Sequence, residues 1–187
     1  MSISTVKTSP FANQKPGTSG LRKKTRVFQE PGFLENYIQS IWIGIGGAQG
    51  KTFVLGGDGR HFNPEAIQVV LRMAAANGAA RVIVGQNGLL STPAASHLIR
   101  KRRADGGIIL SASHNPGGPK GDFGVKYNIN NGGPAPESIT SAIHTASEEL
   151  NVYRTLETPD VDLSLNGVAQ IGPTEIEIIA PVADCAA

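Results

Sequence analysis

Between residues 111 and 126 the chain runs Ser-Ala-Ser-His-Asn-Pro-Gly-Gly-Pro-Lys-Gly-Asp-Phe-Gly-Val-Lys. Ser113, beside His114, stands after an apolar run and before a glycine-rich turn, which puts a hydroxyl on an exposed loop. Glycine lets backbone N–H groups approach an anion closely, and Lys120 and Lys126 could offset its charge. Adjacency of Ser113 and His114 does not make a catalytic triad, because general-base geometry is set in space and not along the chain. The same composition also describes a Ser/Asn/Pro/Gly turn with no chemistry, and the residues alone leave both readings open.

Three other features imitate chemistry more weakly. Gly50-Lys51-Thr52, preceded by Gly44, Gly46 and Gly47, resembles a phosphate-cradling P-loop, but Ile45 stands where the first glycine is required. A P-loop also follows a strand and opens a helix, whereas this segment follows a helical pattern and opens a strand, so it reads as a helix-to-strand turn. Asp160 and Asp162 have a spacing at which two carboxylates could share a hard cation, but they lie in an acidic stretch without a third carboxylate. Cys185, the lone cysteine, excludes an internal disulfide framework and favours a reducing compartment.

The elements that would position the serine follow from periodicity. Residues 33–43 read as a helix with Phe33, Leu34, Ile38, Ile41 and Trp42 on one side. Thr52–Leu55 is a short apolar strand leading directly into Gly56-Gly57-Asp58-Gly59-Arg60. The next helix is expected to be capped by Asn63 with Pro64 in its first turn; Ile67, Val70, Leu71, Ala74 and Ala75 then recur at helical spacing up to Asn77-Gly78. Arg81–Val84 is a strand, Thr92 to about Arg103 a helix with a basic end, and Gly107–Ser111 a third strand. Asp122–Asn128 is a fourth strand, Pro136 opens a helix, and Glu175–Ile179 alternates like a terminal strand. Residues 1–24 read as a polar lead-in. Strands alternating with helices predict an α/β layered domain with a mostly parallel, mixed sheet flanked by helices. Ligands of such sheets collect at the carboxyl ends of strands, which singles out the loops at 56–60 and 111–121.

The 187 residues are enough for a real core. They include 23 glycines against roughly 13 at ordinary usage, a surplus that must sit in loops. Net charge is +2, but residues 1–147 hold 16 Lys and Arg against 7 acidic residues, whereas residues 148–187 hold 1 against 8. A basic front portion suits an anionic substrate. Aromatics at 5% are too scarce for a stacking platform, so no nucleic-acid partner is expected. No membrane span or apolar signal core is evident, and a cytoplasmic protein is expected.

The stretch Ser113-His114-Asn115-Pro116-Gly117-Gly118 resembles the phosphoserine loop of the phosphohexose mutases. Flanking blocks sharpen the resemblance to the phosphoglucomutase branch: GTSGLR at 17–22, GGDGR at 56–60, GQNGLLSTPA at 85–94, GPKGDFGVKYN at 118–128 and NGGPAPE at 131–137, in that order. The resemblance implies interconversion of glucose 1-phosphate and glucose 6-phosphate through glucose 1,6-bisphosphate. It implies Ser113 as the phosphoserine, with His114 and Lys126 as acid/base or charge-stabilising groups. Thr18, Ser19 and Arg22 would come from the N-terminal loop, with Lys120 also on the substrate side. A phosphoserine carries about −1.5 to −2 charges, which Arg22, Lys120 and Lys126 would offset.

The resemblance also implies Mg²⁺. Members of the family carry the metal aspartates in a second domain and the sugar-selecting and distal phosphate loops in a third and fourth. Ser113, through its phosphate, is the one metal ligand expected here. Residues 1–180 would then be the phosphoserine domain and 181–187 the start of a linker, making the chain a fragment expected to fold without appreciable mutase activity. Two alternatives stand beside this reading: a non-catalytic phosphosugar-binding or interaction module, and a phosphomannomutase or dual-specificity enzyme. The oligomeric state is left open.

Overall fold

The computed structural model describes residues 2–17 and 19–180; Thr18, Cys185 and the expected linker at 181–187 lie outside the described residues. In chain order the elements begin with β1 (Ile3–Lys7), β2 (Leu21–Lys24), α1 (Thr25–Phe28), α2 (Phe33–Gly44), β3 (Thr52–Gly57) and α3 (Asn63–Ala76). They continue with β4 (Arg81–Leu89), α4 (Thr92–Lys101), β5 (Gly106–Leu110), β6 (Asp122–Ile129) and α5 (Glu137–Glu149), and close with β7 (Val152–Leu156), β8 (Gly167–Ile171) and β9 (Thr174–Ile179).

Seven strands form one sheet in the order β2-β6-β5-β3-β4-β9-β8, and β1 pairs with β7 in a separate two-stranded ribbon. The central strands β5, β3, β4 and β9 are parallel, while β6 and β2 at one edge and β8 at the other join antiparallel. The alternation of strand side chains divides the core. Val54, Ile83 and Ile109 face α4 and its Leu98 and Ile99. Phe53, Leu55, Val82, Val84, Ile108 and Leu110 belong to the larger core with α2 and α3. Strands β3 and β5, and β4 from Val82 to Gly85, are buried on both faces, which explains their near-continuous apolar text, whereas β9 alternates buried and half-buried residues.

The residues at helical spacing in α3 are all buried. Asn63, however, does not cap it. Phe62, at φ 75°, occupies the cap position without a side-chain bond, and Asn63 is the first helical residue. Its amide instead donates to the Gly88 carbonyl at 3.3 Å, because the side chain is buried where a β4 carbonyl needs a partner. The expected polar lead-in is also corrected: it contains β1 and β2. Both strands are short and polar because each is an edge, where charged side chains face solvent; Lys24 of β2 pairs with Asp122 at 2.7 Å. Strands β7 and β8 likewise fall in segments given no element from the sequence. Gly44 to Lys51 is the helix-to-strand turn expected in place of a P-loop.

Candidate functional site

Strands β3 and β5 are parallel neighbours, so the loops that follow them emerge side by side, joined where the Asp58 N–H donates to the Leu110 carbonyl at 3.1 Å. Strand β6 returns antiparallel to β5, and β2 lies on the far side of β6 with Arg22 opposite Gly124. Lys126 is two residues from Gly124 and therefore on the same face as Arg22. A Cβ on Gly124 would meet the Ser111 carbonyl, so glycine there lets the serine loop lie down on β6. Gly20, at φ 84°, plays the corresponding part for the N-terminal loop: a Cβ would strike the Val125 carbonyl and Lys126.

These constraints bring two cations to one hydroxyl. The Ser113 Oγ accepts from Arg22 Nη2 at 3.0 Å and from Lys126 Nζ at 3.1 Å. Among the described residues neither cation has a carboxylate partner, and the Arg22 Nε is buried without any partner. A neutral oxygen thus sits where the surroundings call for an anion. Burial pushes the Lys126 pKa below the ordinary lysine value, and the Arg22 charge beside it pushes the same way, against the pull of Asp58. A negative charge on residue 113 removes part of that repulsion. Titration of Lys126 by NMR in Ser113→Asp is therefore expected to show a pKa higher than in the wild type; an unchanged or lower value contradicts this electrostatic picture.

Ser113 itself has φ 55°, a left-handed conformation that costs a non-glycine residue about 1–3 kcal/mol and must be held by its surroundings. Its N–H donates to Ser111 Oγ at 3.0 Å, and its carbonyl accepts from Arg60 Nη2 at 3.0 Å. Asp58 grips the other edge of Arg60, at 2.7 Å to Nη2. Burial raises the Asp58 pKa, but hydrogen bonds from Arg60 and Ser111 together with the Arg60 charge outweigh it and hold the carboxyl below its usual range. The loop is tied down further along by Asn115 to Asp122 at 2.9 Å and by the Thr25 hydroxyl to the Gly118 carbonyl at 3.1 Å.

The remaining expected site residues divide. Ser19 lines a depression of about 330 Å³ with Lys15, Gly17, Gly20 and Arg22, and a second of about 160 Å³ that reaches Lys126. His114 and Lys120 are exposed, and among the described residues no hydrogen bond or ion pair joins either to Ser113. Thr18 lies outside the described residues. Asp58, Arg60 and Ser111 were not assigned as site residues from the sequence, although the GGDGR block directly after an apolar strand was the signal that could have found them.

The side chains of the described residues do not by themselves make a divalent-metal site. Among the described residues no cluster of three or more His, Cys, Asp or Glu side chains could hold an ion. Asp160 is taken by Arg72 at 2.7 Å, and Asp162 accepts from the Ser164 N–H at 2.9 Å. Among the described residues no helix is long and apolar enough to cross a membrane.

The model of the phosphoglucomutase/phosphomannomutase family, alpha/beta/alpha domain I, matches residues 13–154. A phosphoglucomutase of Aspergillus fumigatus is 55% identical over 185 residues, covering 98% of this chain and 33% of that protein. The cytoplasmic phosphoglucomutase of Populus tremula is 50% identical over 192 residues, covering 98% and 33%. Among solved structures, the open form of the exocytosis-sensitive phosphoprotein pp63/parafusin, a phosphoglucomutase from Paramecium, superposes with a TM-score of 0.90 at 42% identity, over 96% of this chain and 35% of that one. The chain therefore spans about a third of the length of these relatives. With its α/β/α layers and its serine loop at the carboxyl end of the sheet, the chain belongs to the phosphoglucomutase/phosphomannomutase family, of which it presents domain I.

Proposed function

We propose that this chain supplies the phosphoserine wall of a phosphoglucomutase active site, with Ser113 as the residue that carries phosphate between the two ends of glucose phosphate. The observation that carries the reading is the convergence of Arg22 and Lys126, both without carboxylate partners among the described residues, on the Ser113 hydroxyl. In the proposed cycle Ser113 begins phosphorylated. A free sugar hydroxyl attacks phosphorus, its new P–O bond forms as the P–Oγ bond breaks, and the hydroxyl proton leaves with a nearby base. Negative charge that develops on Oγ is met by Arg22 and Lys126, already within hydrogen-bond reach. Ser113 then recovers a phosphoryl group from the other end of the bisphosphate sugar, returning the enzyme to its starting state.

Phosphoryl transfer leaves little covalent work to the protein, so placing and neutralising charge is the larger part of catalysis. Burial and the Arg22 charge, which lower the Lys126 pKa, also make its proton easier to give up than that of an ordinary lysine, which suits a group that exchanges a proton with the reacting oxygens. His114, exposed one residue beyond Ser113, is proposed as a second acid/base group, and Lys120, Ser19 and Thr18 as contacts to the phosphosugar. The dependence on Mg²⁺ and the activation by glucose 1,6-bisphosphate are proposed for the complete active site; the metal aspartates are not among the described residues of this chain. A cytoplasmic location belongs to the same proposal, supported by the name of the Populus tremula relative. The names of the relatives favour glucose phosphates over mannose phosphates.

A chimera tests the reading. These 187 residues replace the matching third of the Aspergillus fumigatus phosphoglucomutase, and glucose 6-phosphate formation from glucose 1-phosphate is followed. The chimera is expected to turn over, its Ser113→Ala variant to be inactive, and the 187-residue polypeptide alone to show no appreciable turnover. A soluble, folded chimera without activity, or an active Ser113→Ala chimera, contradicts the proposal.

A further inference from the structure

Arg60 has a buried side chain, 8% exposed, in a loop otherwise open to solvent. A guanidinium has five N–H donors in a rigid planar fork, and here all five are used. Nε–H lies between the two Asp58 carboxylate oxygens at 2.9 and 3.0 Å. Nη1 donates to the Asp122 carbonyl at 2.7 Å and, more weakly, to the Asn115 carbonyl at 3.5 Å. Nη2 donates to Asp58 at 2.7 Å and to the Ser113 carbonyl at 3.0 Å. No donor is left for a substrate phosphate. The side chain faces the backbone of the serine loop, spanning its start at Ser113, its middle at Asn115 and its end at Asp122.

We propose that Arg60, oriented by Asp58, is the positioning residue of this site: by binding the Ser113 carbonyl and the carbonyls that close the loop, it holds Ser113 in the left-handed conformation that aims Oγ at Arg22 and Lys126. Three features of the surroundings support a built device over an incidental contact. The φ of 55° at Ser113 needs an external restraint. The bidentate pairing with Asp58 fixes the guanidinium plane, which a lysine ammonium on a flexible stem could not reproduce. Phe62, two residues beyond Arg60, is itself held at φ 75° and packs its ring 5.4 Å from that of Phe123, so the loop carrying Arg60 is anchored to the strand that carries Lys126. The proposal deepens the phosphoserine reading and rests on it for its consequence, though not for its geometry.

The test uses Arg60→Lys, which keeps the charge, and Arg60→Met, which keeps much of the volume. Each is measured in this chain for thermal unfolding and for the Ser113 amide–Hα coupling that reports φ, and in the chimera with the Aspergillus fumigatus phosphoglucomutase for the rate at which Ser113 acquires phosphate from glucose 1,6-bisphosphate. Both variants are expected to fold, to lose the left-handed coupling at Ser113, and to load phosphate about 100-fold more slowly, as for a nucleophile displaced by about 1 Å. The bisphosphate concentration giving half-maximal rate is expected to stay close to wild type, since Arg60 offers substrate no donor. A folded Arg60→Lys with the wild-type coupling and loading rate overturns the proposal. If neither variant folds, Asp58→Asn replaces them; it frees the guanidinium plane without removing it, and wild-type coupling in that variant overturns the proposal equally. If the wild-type chimera takes no phosphate, the phosphoserine reading fails, and the Ser113 coupling in the variants alone decides the role of Arg60.

Discussion

Arg22→Ala is expected to slow phosphorylation of Ser113 by roughly 100- to 1000-fold, the range found when one preorganised donor to a developing oxyanion is removed. Arg22 Nη2 lies 3.0 Å from Oγ, and its buried Nε has no partner among the described residues. The variant therefore removes one contact already made to the hydroxyl and one open donor on the same side chain. Arg22→Lys is expected to recover only part of the loss, because an ammonium cannot present two donors in a fixed plane. The neighbouring Lys23 and Lys24 provide the control: they extend the same basic run, but Lys24 is engaged with Asp122 at 2.7 Å. Lys23→Ala should load at close to the wild-type rate. Rates are read in the chimera from the time course of intact mass with glucose 1,6-bisphosphate as donor; equal rates for Arg22→Ala and wild type would remove Arg22 from the site.

The second large effect is on stability. Phe123 is fully buried and is the hinge of an aromatic cluster, with ring centroids 5.1 Å from Phe28 and 5.4 Å from Phe62; Phe28 in turn meets Phe33 at 5.3 Å. The cluster ties β6 to α1, α2 and the Arg60 loop. Phe123→Ala removes the ring from a packed site and is expected to cost about 3–5 kcal/mol, a large part of a typical total of roughly 5–15 kcal/mol. For a chain of this size that corresponds to a fall in Tm of roughly 6–20 °C. Phe123→Leu, which refills most of the volume, should lose less. Calorimetry of the three proteins decides it, and a Tm for Phe123→Ala within a degree or two of wild type would show that the cluster is not holding the loop.

The part of this architecture that was legible in the sequence is the part built from local periodicity. The central strands and α2 to α5 announce themselves because strands buried on both faces read as short apolar runs, β9 alternates, and buried helix faces repeat at about 3.6. The four edge and ribbon strands do not. β1, β2, β7 and β8 are four or five residues long and half exposed, so their text is polar and their pairing is decided by partners far away in sequence. Residues 21–24 read simply as Leu-Arg-Lys-Lys until β6 is found beside them. Asn63 misled for a related reason: a cap residue and a buried amide have the same letter, and the Gly88 carbonyl that claims its side chain lies 25 positions away.

The site divides along the same line. The loops at the carboxyl ends of β3 and β5 followed from strand order, and Ser113, Arg22 and Lys126 from the family resemblance; the structure brings those three side chains together. What periodicity could not reach was Arg60. In the sequence it belongs to a glycine-rich loop that reads as open to ligand, and its turn inward onto three carbonyls is visible only in three dimensions. Nor could spacing show that His114 and Lys120 are exposed and, among the described residues, make no bond to Ser113.

The central claim is that Ser113 accepts phosphate from a sugar bisphosphate. The most direct measurement is the intact mass of the purified chimera, in which these residues replace the matching third of the Aspergillus fumigatus phosphoglucomutase, after incubation with glucose 1,6-bisphosphate and Mg²⁺, followed by peptide mapping. The account predicts the addition of a single phosphoryl group located on Ser113 and absent from Ser113→Ala; a phosphoryl group on another residue, or a Ser113→Ala protein that gains the same mass, would contradict it.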